Sequence, residues 1–159
     1  NKLICFILDI FWWKKIKEKV KRIRVFISIE IPSNIKDDLF RIQAFIPGNY
    51  AKIKWVPKKN LHITLKFLGY LTNEELEKVK EKLRNIKFNS FNLTLDKLGF
   101  FGNHGKISII RISFVDGTEL IKLQQQIDAD LLEINKEDQI FFPHLTLGRV
   151  KLIKRRNTG

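Results

Sequence analysis

The chain has 159 residues, 44% of them hydrophobic, with one cysteine and a formal net charge of +13. This length and apolar content suit a single domain with a sizeable core, and one cysteine excludes both an intramolecular disulfide and a cysteine-based metal cluster, so we expect a reducing, cytoplasmic setting. The positive charge favours a polyanionic partner such as RNA, DNA or an acidic membrane, although a lysine-rich composition also accompanies ion-pair networks that serve thermal stability.

The first segment of the chain, 1–23, is interpreted as an extension that precedes a main domain at 24–159. Residues 3–13 are apolar apart from Asp9, and a stretch rich in lysine and arginine follows them. The apolar run is too short to span a bilayer and is unlike a secretory signal, so we expect no membrane insertion. It fits an amphipathic helix on a surface, a disordered extension or an element packed on the domain, and we expect the packed element.

The first half of the main domain is predicted to alternate strands with helices. Residues 24–31 alternate apolar with polar side chains and end at Pro32, which indicates a strand and a turn. Ser33 is predicted to cap a helix over 34–44. Further along, we predict a short strand at 51–56, a strand at 61–68 closed by Gly69, and a helix that opens with the capping box Thr72-Asn73-Glu74-Glu75 and runs to about Lys87.

The second half repeats this alternation of strands and helices. Residues 91–98 and 106–114 alternate and are predicted to be strands joined by a glycine-rich hairpin connection. A helix over 118–134 and a last strand after Pro143 follow. Helices that alternate with largely antiparallel strands predict an α+β fold, in which the helices cover the outer faces of the sheets and the inner faces form a cleft.

One motif of four residues occurs twice, as His62-Ile63-Thr64-Leu65 and as His144-Leu145-Thr146-Leu147. We call these copies the first and the second tetrad. Side chains alternate along a strand, so each copy places an imidazole and a hydroxyl on one face and apolar residues on the other. A single histidine on a strand is usually a structural residue, but two of the three histidines in the chain occupy the same position of one pattern. The third, His104, lies in a turn-like string and is interpreted as a loop residue.

The paired motif suits a reaction that needs one general acid and one general base, because an imidazole has an ordinary pKa of about 6.5. In an in-line displacement at a phosphodiester, one of His62 and His144 activates a water and the other protonates the departing ribose oxygen. Thr64 and Thr146 are placed to hold the non-bridging oxygens. Lys66 shares the parity of His62 and Thr64, so we expect it to face the cleft and neutralise developing charge.

Two other side chains near the second tetrad are candidate RNA contacts. Arg149 suits bidentate phosphate binding, but simple alternation puts it on the face opposite His144 unless a bulge or the strand end at Gly148 changes the parity. Phe142 is placed to stack on a nucleobase or to pack in the core. The sequence shows no cluster of metal-ligand residues around either tetrad and no phosphate-binding glycine loop, so we expect neither a metal nor a nucleotide cofactor.

Four segments resemble the two-histidine phosphoesterase superfamily, and most closely its LigT-like RNA 2′,3′-cyclic phosphodiesterases, also described as 2′-5′ RNA ligases. The resemblance lies in RVFISIEIP at 24–32, LHITLKFLG at 61–69, LGFFG at 98–102 and FFPHLTLGR at 141–149. It implies a bilobal α+β fold with pseudo-twofold symmetry. It also implies metal-free hydrolysis of a terminal 2′,3′-cyclic phosphate to a 2′-phosphate, without a nucleotide cofactor.

The same resemblance implies a role for each matching residue. His62 is similar to the proton donor that acts on the 3′ oxygen and His144 to the proton acceptor that acts on water, although a near-symmetric pair leaves the choice of acid and base open. Thr64, Thr146 and Arg149 are similar to phosphate ligands. The resemblance spans 24–150; residues 1–23 depart from the usual family start, and a further terminal strand is expected to be missing.

The substrate implied by the resemblance is RNA with a 2′,3′-cyclic phosphate end, including tRNA fragments, and we expect a monomeric protein. Two alternatives remain open at this stage. The same site suits the joining of a cyclic phosphate to a 5′-hydroxyl as a 2′,5′ bond, which is chemically the reverse reaction. A non-catalytic module that binds RNA ends would also explain the charge, and it would bind without turnover.

Overall fold

A computed structural model of the protein describes residues 3–8, 22–47, 51–103, 106–134 and 140–153. The strands in these ranges are β1 (Leu3–Leu8), β2 (Ile23–Glu30), β3 (Ala51–Trp55), β4 (His62–Leu71), β5 (Leu95–Asn103), β6 (Lys106–Phe114) and β7 (Leu145–Ile153). The helices are α1 (Ser33–Phe45), α2 (Asn73–Asn85) and α3 (Thr118–Asp130), with a 3-10 turn at Lys58–Asn60. His104, predicted in a loop, lies outside the described residues.

The strands form two sheets, one in the order β1-β2-β4 and one in the order β3-β7-β6-β5. The pairings of β1 with β2, β3 with β7, β5 with β6 and β6 with β7 are antiparallel. The predicted α+β class is therefore confirmed, whereas the bilobal, pseudo-twofold arrangement stays a prediction. No helix within the described ranges combines the length and apolarity that a bilayer span requires.

The described residues divide into two compact units that each draw on both halves of the chain. Unit 1 holds those within 1–29, 64–92 and 117–142, and unit 2 holds those within 30–63, 93–116 and 143–159. This interleaving follows from long-range strand pairing, because β3 from the first half pairs with β7 from the second. The linear sequence suggested two successive halves, and the tertiary structure mixes them.

Unit 1 contains the sheet of β1, β2 and most of β4, together with α2 and α3. The helix α2 begins with the predicted capping box, since Glu75 N donates to Thr72 Oγ1 at 3.2 Å and Thr72 N donates to Glu75 Oε2 at 2.8 Å. Lys82 Nζ donates to the Asp130 carbonyl at 2.8 Å, which ties α2 to the end of α3. The buried apolar side chains of this unit include Val25, Ile27, Leu65, Leu68, Leu76, Val79, Leu120, Leu123 and Ile127.

The strand β1 places part of the N-terminal segment in the sheet of unit 1. It pairs with β2 from Leu3 opposite Ile29 to Leu8 opposite Arg24. Over these residues the segment is therefore a strand, which differs from a surface helix or a disordered extension. Residues 9–21, which include the basic stretch, lie outside the described residues.

Two predictions from local sequence are wrong in detail. Ser33 does not cap α1, because it is already helical and Pro32 occupies the cap position with no side-chain cap hydrogen bond. The strand predicted at 91–98 lies instead at Leu95–Asn103 and includes the glycines that were assigned to a hairpin connection. Gly102 lies within this strand. A Cβ there would overlap the Lys106 carbonyl oxygen, so a glycine is needed for the close approach of two strands and not only for a turn.

Two further boundaries differ from the sequence prediction. The strand β4 continues past Gly69, which has a φ of 70°, to Leu71. A positive φ favours glycine, so this residue permits an irregular strand where the sequence predicted its end. The helix α3 ends at Asp130, four residues before the predicted 134.

Unit 2 contains α1 and the four-stranded sheet, in which Gly148 on β7 lies close to side chains of β3. A Cβ at this position would lie 2.8 Å from Trp55 Cε3 and 2.9 Å from Ile53 Cγ2, both on β3. Real Cβ atoms do not approach carbon atoms so closely, and the side chains of Trp55 and Ile53 would have to move. The buried apolar side chains of unit 2 include Ile31, Leu39, Leu61, Ile63, Ile110, Ile112, Leu145 and Leu147.

Substitution Gly148→Ala is expected to lower the free energy of unfolding by about 1–3 kcal/mol, because the added methyl group overpacks the β3–β7 contact. Urea unfolding of the wild type, Gly148→Ala, Trp55→Ala and the double variant measures the coupling. In the Trp55→Ala background the alanine should cost less, since the closest aromatic atom is gone. An equal cost in both backgrounds would assign the loss to a different cause.

Candidate active site

Both tetrads have the alternation of burial that the sequence predicts. Ile63 and Leu65 of the first copy are 4% and 3% exposed, and Leu145 and Leu147 of the second are 1% and 0% exposed. The four polar members, His62, Thr64, His144 and Thr146, are half-buried. Each copy therefore anchors its apolar face in a core and leaves an imidazole and a hydroxyl partly accessible. Both histidines belong to unit 2, whereas Thr64 belongs to unit 1.

His62 is the first residue of β4, and the turn before it orients the imidazole. His62 Nδ1 lies 2.6 Å from the carbonyl oxygen of Asn60, the last residue of the 3-10 turn. A carbonyl only accepts, so Nδ1 carries the hydrogen in this contact. Asn60 is itself held by its N–H donating to the Pro57 carbonyl at 2.8 Å. The turn thus sets the tautomer of a neutral ring, with Nε2 as its basic nitrogen.

Burial lowers the pKa of His62 below its ordinary value of 6.5, and the nearby positive charge of Lys36 lowers it further. The hydrogen bond to the Asn60 carbonyl opposes both effects, because it favours the protonated ring. Lys36 is a buried residue of α1 whose Nζ lies 3.2 Å from Glu30 Oε1. A neutral imidazole at position 62 is therefore favoured in the unliganded protein at neutral pH.

His144 directly precedes β7, and its ring contacts an aromatic side chain of β5. The ring centroids of His144 and Phe101 are 4.9 Å apart with an interplanar angle of 86°, an edge-to-face arrangement, which is favourable for aromatic rings. The guanidinium carbon of Arg111 lies 4.4 Å from the centroid of the same Phe101 ring. The side chains of His144, Phe101 and Arg111 therefore form one row, with Phe101 in the middle.

Strand register places Thr146 on the same face of the sheet as this row. Arg111 on β6 is paired with Thr146 on β7 and with Gly99 on β5. Directly paired residues project to the same face, and residues two apart along a strand do so as well. Phe101 follows Gly99 by two positions, so Phe101, Arg111 and Thr146 share a face. We call it the tetrad face.

A bulge in β7 brings Arg149 to the tetrad face. Arg111 pairs with Thr146 and Ile110 with Gly148, so one extra residue, Leu147, stands in β7. Arg149 then pairs with Ile109, which shares the parity of Arg111 along β6. The change of parity that the sequence analysis required for Arg149 is therefore present, and the exposed guanidinium is on the side that carries the Thr146 hydroxyl.

Gln43 holds this bulge in place from α1. Its Nε2 donates to the carbonyls of Leu147 and Val56, both at 2.9 Å, and Val56 N donates to the same Leu147 carbonyl at 2.8 Å. Gln43 is not among the site residues predicted from the sequence. It follows Leu39 by four positions and thus extends the apolar stripe of the helix, where a buried amide needs backbone partners.

Phe101 and Arg111 were also missed as site residues. Phe101 belongs to the LGFFG segment, and its neighbour Phe100 has the opposite parity and is 50% exposed. Arg111 is a charge within the otherwise apolar run Ile109 to Ile112. A charged residue inside a predicted central strand was the available signal, because burial of an arginine requires a partner or a function.

Lys66 does not follow the parity argument that placed it beside His62 and Thr64. Leu65 and Lys66 are consecutive buried residues, so the alternation of burial in β4 breaks there. Lys66 Nζ lies 2.6 Å from Asp128 Oδ1 on α3, and Gln124 donates to the other carboxylate oxygen. The ammonium group is thus buried in an ion pair within unit 1, which disfavours the phosphate-binding role of Lys66, and that role stays a prediction.

Phe142 is 58% exposed and lies two residues before His144. This exposure fits a ring on the surface better than one packed in the core, and its stacking on a nucleobase stays a prediction. As for metal binding, the described part of the chain contains no group of three or more His, Cys, Asp or Glu side chains that could hold an ion.

Comparison with known proteins gives consistent matches over most of the chain. The family model described as LigT like Phosphoesterase matches residues 29–110. A Methanocaldococcus jannaschii protein named RNA 2′,3′-cyclic phosphodiesterase is 34% identical over 134 residues, which cover 84% of this chain and 75% of that protein. A crystal structure from Thermus thermophilus has a TM-score of 0.72 at 26% identity, covering 84% of this chain and 77% of its own. The crystal structure of E. coli LigT complexed with phosphate has a TM-score of 0.68 at 25% identity, covering 80% and 71%.

Substitution Lys36→Gln is expected to raise the pKa of His62 toward 6.5, because it removes a positive charge that opposes protonation of the ring. At any pH close to 6.5 the variant ring is then protonated to a larger extent than the wild-type ring, whose pKa is lowered. NMR titration of the imidazole protons measures the shift. Glu30→Gln is the matched control, since it alters the same ion pair but keeps the charge of Lys36. A pKa that falls or stays constant in Lys36→Gln would contradict this account.

Substitution Lys66→Met is expected to lower the free energy of unfolding by about 1–3 kcal/mol, because it leaves the Asp128 carboxylate without its cation. Lys80→Met serves as the control: it breaks the exposed pair with Glu77, which contributes no more than about 0.5 kcal/mol. Urea unfolding compares the two variants. Inorganic phosphate should bind Lys66→Met as it binds the wild type, and a clear loss of that binding would restore Lys66 to the site.

Proposed function

The chain belongs to the LigT-like phosphoesterase family, and from this membership we propose that it is an RNA 2′,3′-cyclic phosphodiesterase. The reaction is hydrolysis of a terminal 2′,3′-cyclic phosphate to a 2′-phosphate. The observation that carries the proposal is the pair of His-x-Thr tetrads, because both copies have the same alternation of buried apolar and half-buried polar residues. The M. jannaschii relative bears the name of this activity.

The proposed chemistry assigns each histidine one proton transfer. His144 accepts a proton from the attacking water, the water oxygen bonds to phosphorus, and the bond from phosphorus to the 3′ oxygen breaks. His62 donates a proton to that leaving oxygen, so the product has a free 3′-hydroxyl and a 2′-phosphate. Each transfer contributes about 10²–10⁴-fold in rate. After turnover the two protonation states are exchanged and solvent restores them.

The lowered pKa of His62 bears on its role as the acid. A general acid must be protonated when the substrate is bound, and burial opposes this in the unliganded protein. A bound cyclic phosphate is an anion, and a negative charge near the ring favours its protonated form. We therefore infer that substrate binding and protonation of His62 are coupled, so that the acid is charged mainly in the complex.

Phosphate oxygens are proposed to bind the two tetrad threonines and Arg149. Thr146 and Arg149 share the tetrad face, and Thr64 follows His62 by two positions on β4. Guanidinium and hydroxyl donors neutralise the charge that develops on the non-bridging oxygens. These groups and two imidazoles supply the acid, the base and the anion ligands, so we propose a reaction that requires no metal ion.

An RNA strand rather than a mononucleotide is the proposed natural substrate. Lys54 on β3 pairs with Arg149 on β7, so a second cation extends the tetrad face from the phosphate toward the sheet edge. The net charge of +13 adds long-range attraction for a polyanion. The identity of the RNA as a tRNA fragment, the cytoplasmic setting and the monomeric state remain predictions from the sequence.

The test is turnover of a nucleoside 2′,3′-cyclic phosphate and of a short RNA with a cyclic phosphate end, in excess EDTA. We expect the 2′-monophosphate as product, and a loss of about 10²–10⁴-fold in kcat for His62→Ala and for His144→Ala. His104→Ala, which changes the one histidine outside the tetrads, is the matched control and should retain full activity.

Other outcomes of the same assay would contradict the proposal. RNA binding without turnover would identify a module that binds RNA ends. Retained activity in both tetrad variants would remove the two-histidine mechanism. If an RNA with a 5′-hydroxyl is added and a 2′,5′-linked product accumulates in place of the monophosphate, the site acts as a ligase.

A further inference from the structure

Arg111 is a half-buried cation whose buried Nε atom has no hydrogen-bonded partner. Among the described residues, this is the one buried side-chain nitrogen or oxygen for which no hydrogen bond forms. Its strand, β6, lies between β7 and β5 in the sheet. Leaving such a donor unsatisfied destabilises the folded state, and more so when the group is charged. The unsatisfied Nε donor therefore makes no favourable contribution of its own to the stability of the fold.

The guanidinium group is nevertheless held in a defined position. It lies over the Phe101 ring, 4.4 Å from the centroid, and over Gly99, where a Cβ would lie 3.3 Å from Arg111 Cζ and 3.4 Å from Nη2. A larger residue at position 99 would displace it. The ring and the glycine together form a flat platform for the planar cation, which limits its rotamers before any ligand arrives.

Strand pairing relates Arg111 to Thr146, and a shared aromatic contact relates it to His144, the two polar residues of the second tetrad. It is paired across the strands with Thr146, and the ring beneath it contacts the His144 imidazole edge-to-face, with centroids 4.9 Å apart. Arg149 reaches the tetrad face through the bulge in the same strand as Thr146. An anion that contacts the Thr146 hydroxyl is thus next to a preorganised guanidinium with donors available.

We propose that Arg111 is a substrate-binding residue that donates hydrogen bonds to an oxygen of the terminal cyclic phosphate. This inference rests on the proposed function and adds a second arginine to the anion site. Charge on the phosphate oxygens increases as water attacks, so a fixed cation stabilises the transition state more than the ground state. Phe101 then acts as a positioning residue, because it orients both Arg111 and His144.

The proposal predicts a loss confined to phosphate recognition. Arg111→Gln keeps most of the side-chain length but removes the charge, and kcat/KM for a nucleoside 2′,3′-cyclic phosphate should fall about 10–100-fold. The mononucleotide is the informative substrate, because its only phosphate is the cyclic one. Arg111→Lys should recover part of the loss. Arg41→Gln is the matched control, since Arg41 is an exposed residue of α1 paired with Asp38, and it should behave as the wild type.

Binding of inorganic phosphate distinguishes a phosphate-binding role of Arg111 from a purely structural role. The dissociation constant, measured by calorimetry, should rise about 10-fold or more in Arg111→Gln, while the urea midpoint stays constant or increases because an unsatisfied buried donor is removed. A purely structural role predicts the reverse: a lower urea midpoint with an unchanged dissociation constant. That result would overturn the inference.

The inference and the proposed function fail in different ways. If the wild type hydrolyses the cyclic phosphate and Arg111→Gln does so equally well, the activity stands and the role of Arg111 is wrong. If the wild type binds inorganic phosphate in a manner that depends on Arg111 but hydrolyses no cyclic phosphate, the anion site stands and the proposed activity is wrong.

Discussion

The one-residue bulge at Leu147 is the constraint on which the second tetrad depends. A regular β7 would place Arg149 on the face opposite Thr146, where Gly148 meets Trp55 and Ile53 without space for even a methyl group. A bulge disrupts the ladder, and its backbone groups need other partners. Here the Leu147 carbonyl accepts from Gln43 Nε2 and from Val56 N. An amide on α1 and a main-chain donor after β3 therefore determine what β7 presents to a ligand.

Lys66 and Arg111 are both buried or partly buried cations, but their surroundings differ. Lys66 is 8% exposed and has its charge neutralised by Asp128 in unit 1. Arg111 has a buried Nε with no acceptor in the described residues and rests on an aromatic ring. A paired ammonium group has little capacity left for a phosphate, whereas a guanidinium with donors to spare and fixed orientation is suited to one. Alternation along the strand had singled out Lys66 as a candidate phosphate contact, whereas Arg111 was not among the predicted site residues.

The electrostatic environment of the two histidines differs although their tetrads are alike. His62 is oriented by a main-chain carbonyl and lies near the Lys36 cation, which with burial lowers its pKa. His144 instead contacts an aromatic ring that also supports a guanidinium. A repeated sequence motif thus acquires two surroundings, and that of His62 favours the neutral imidazole in the unliganded protein.

Local chemistry explains which features were predictable from the chain. The Thr72–Glu75 capping box and the alternation of each tetrad depend on residues within four positions of one another, and both are present as predicted. Two local signals led to wrong predictions. Pro32 and not Ser33 occupies the cap position of α1, and Gly102 is explained by the close approach of the neighbouring strand and not by a turn alone.

The sequence by itself determined the α+β class, the paired His-x-Thr faces and the residue types proposed for proton transfer and anion binding. Only the tertiary structure decided that Arg149 reaches the tetrad face, that Lys66 pairs with Asp128, and that Phe101 contacts both Arg111 and His144. The reason is physical distance along the chain: Gln43 and Leu147 are 104 positions apart, and Lys66 and Asp128 are 62 apart. Contacts over such separations follow from packing and strand register, which no periodicity in a local segment encodes.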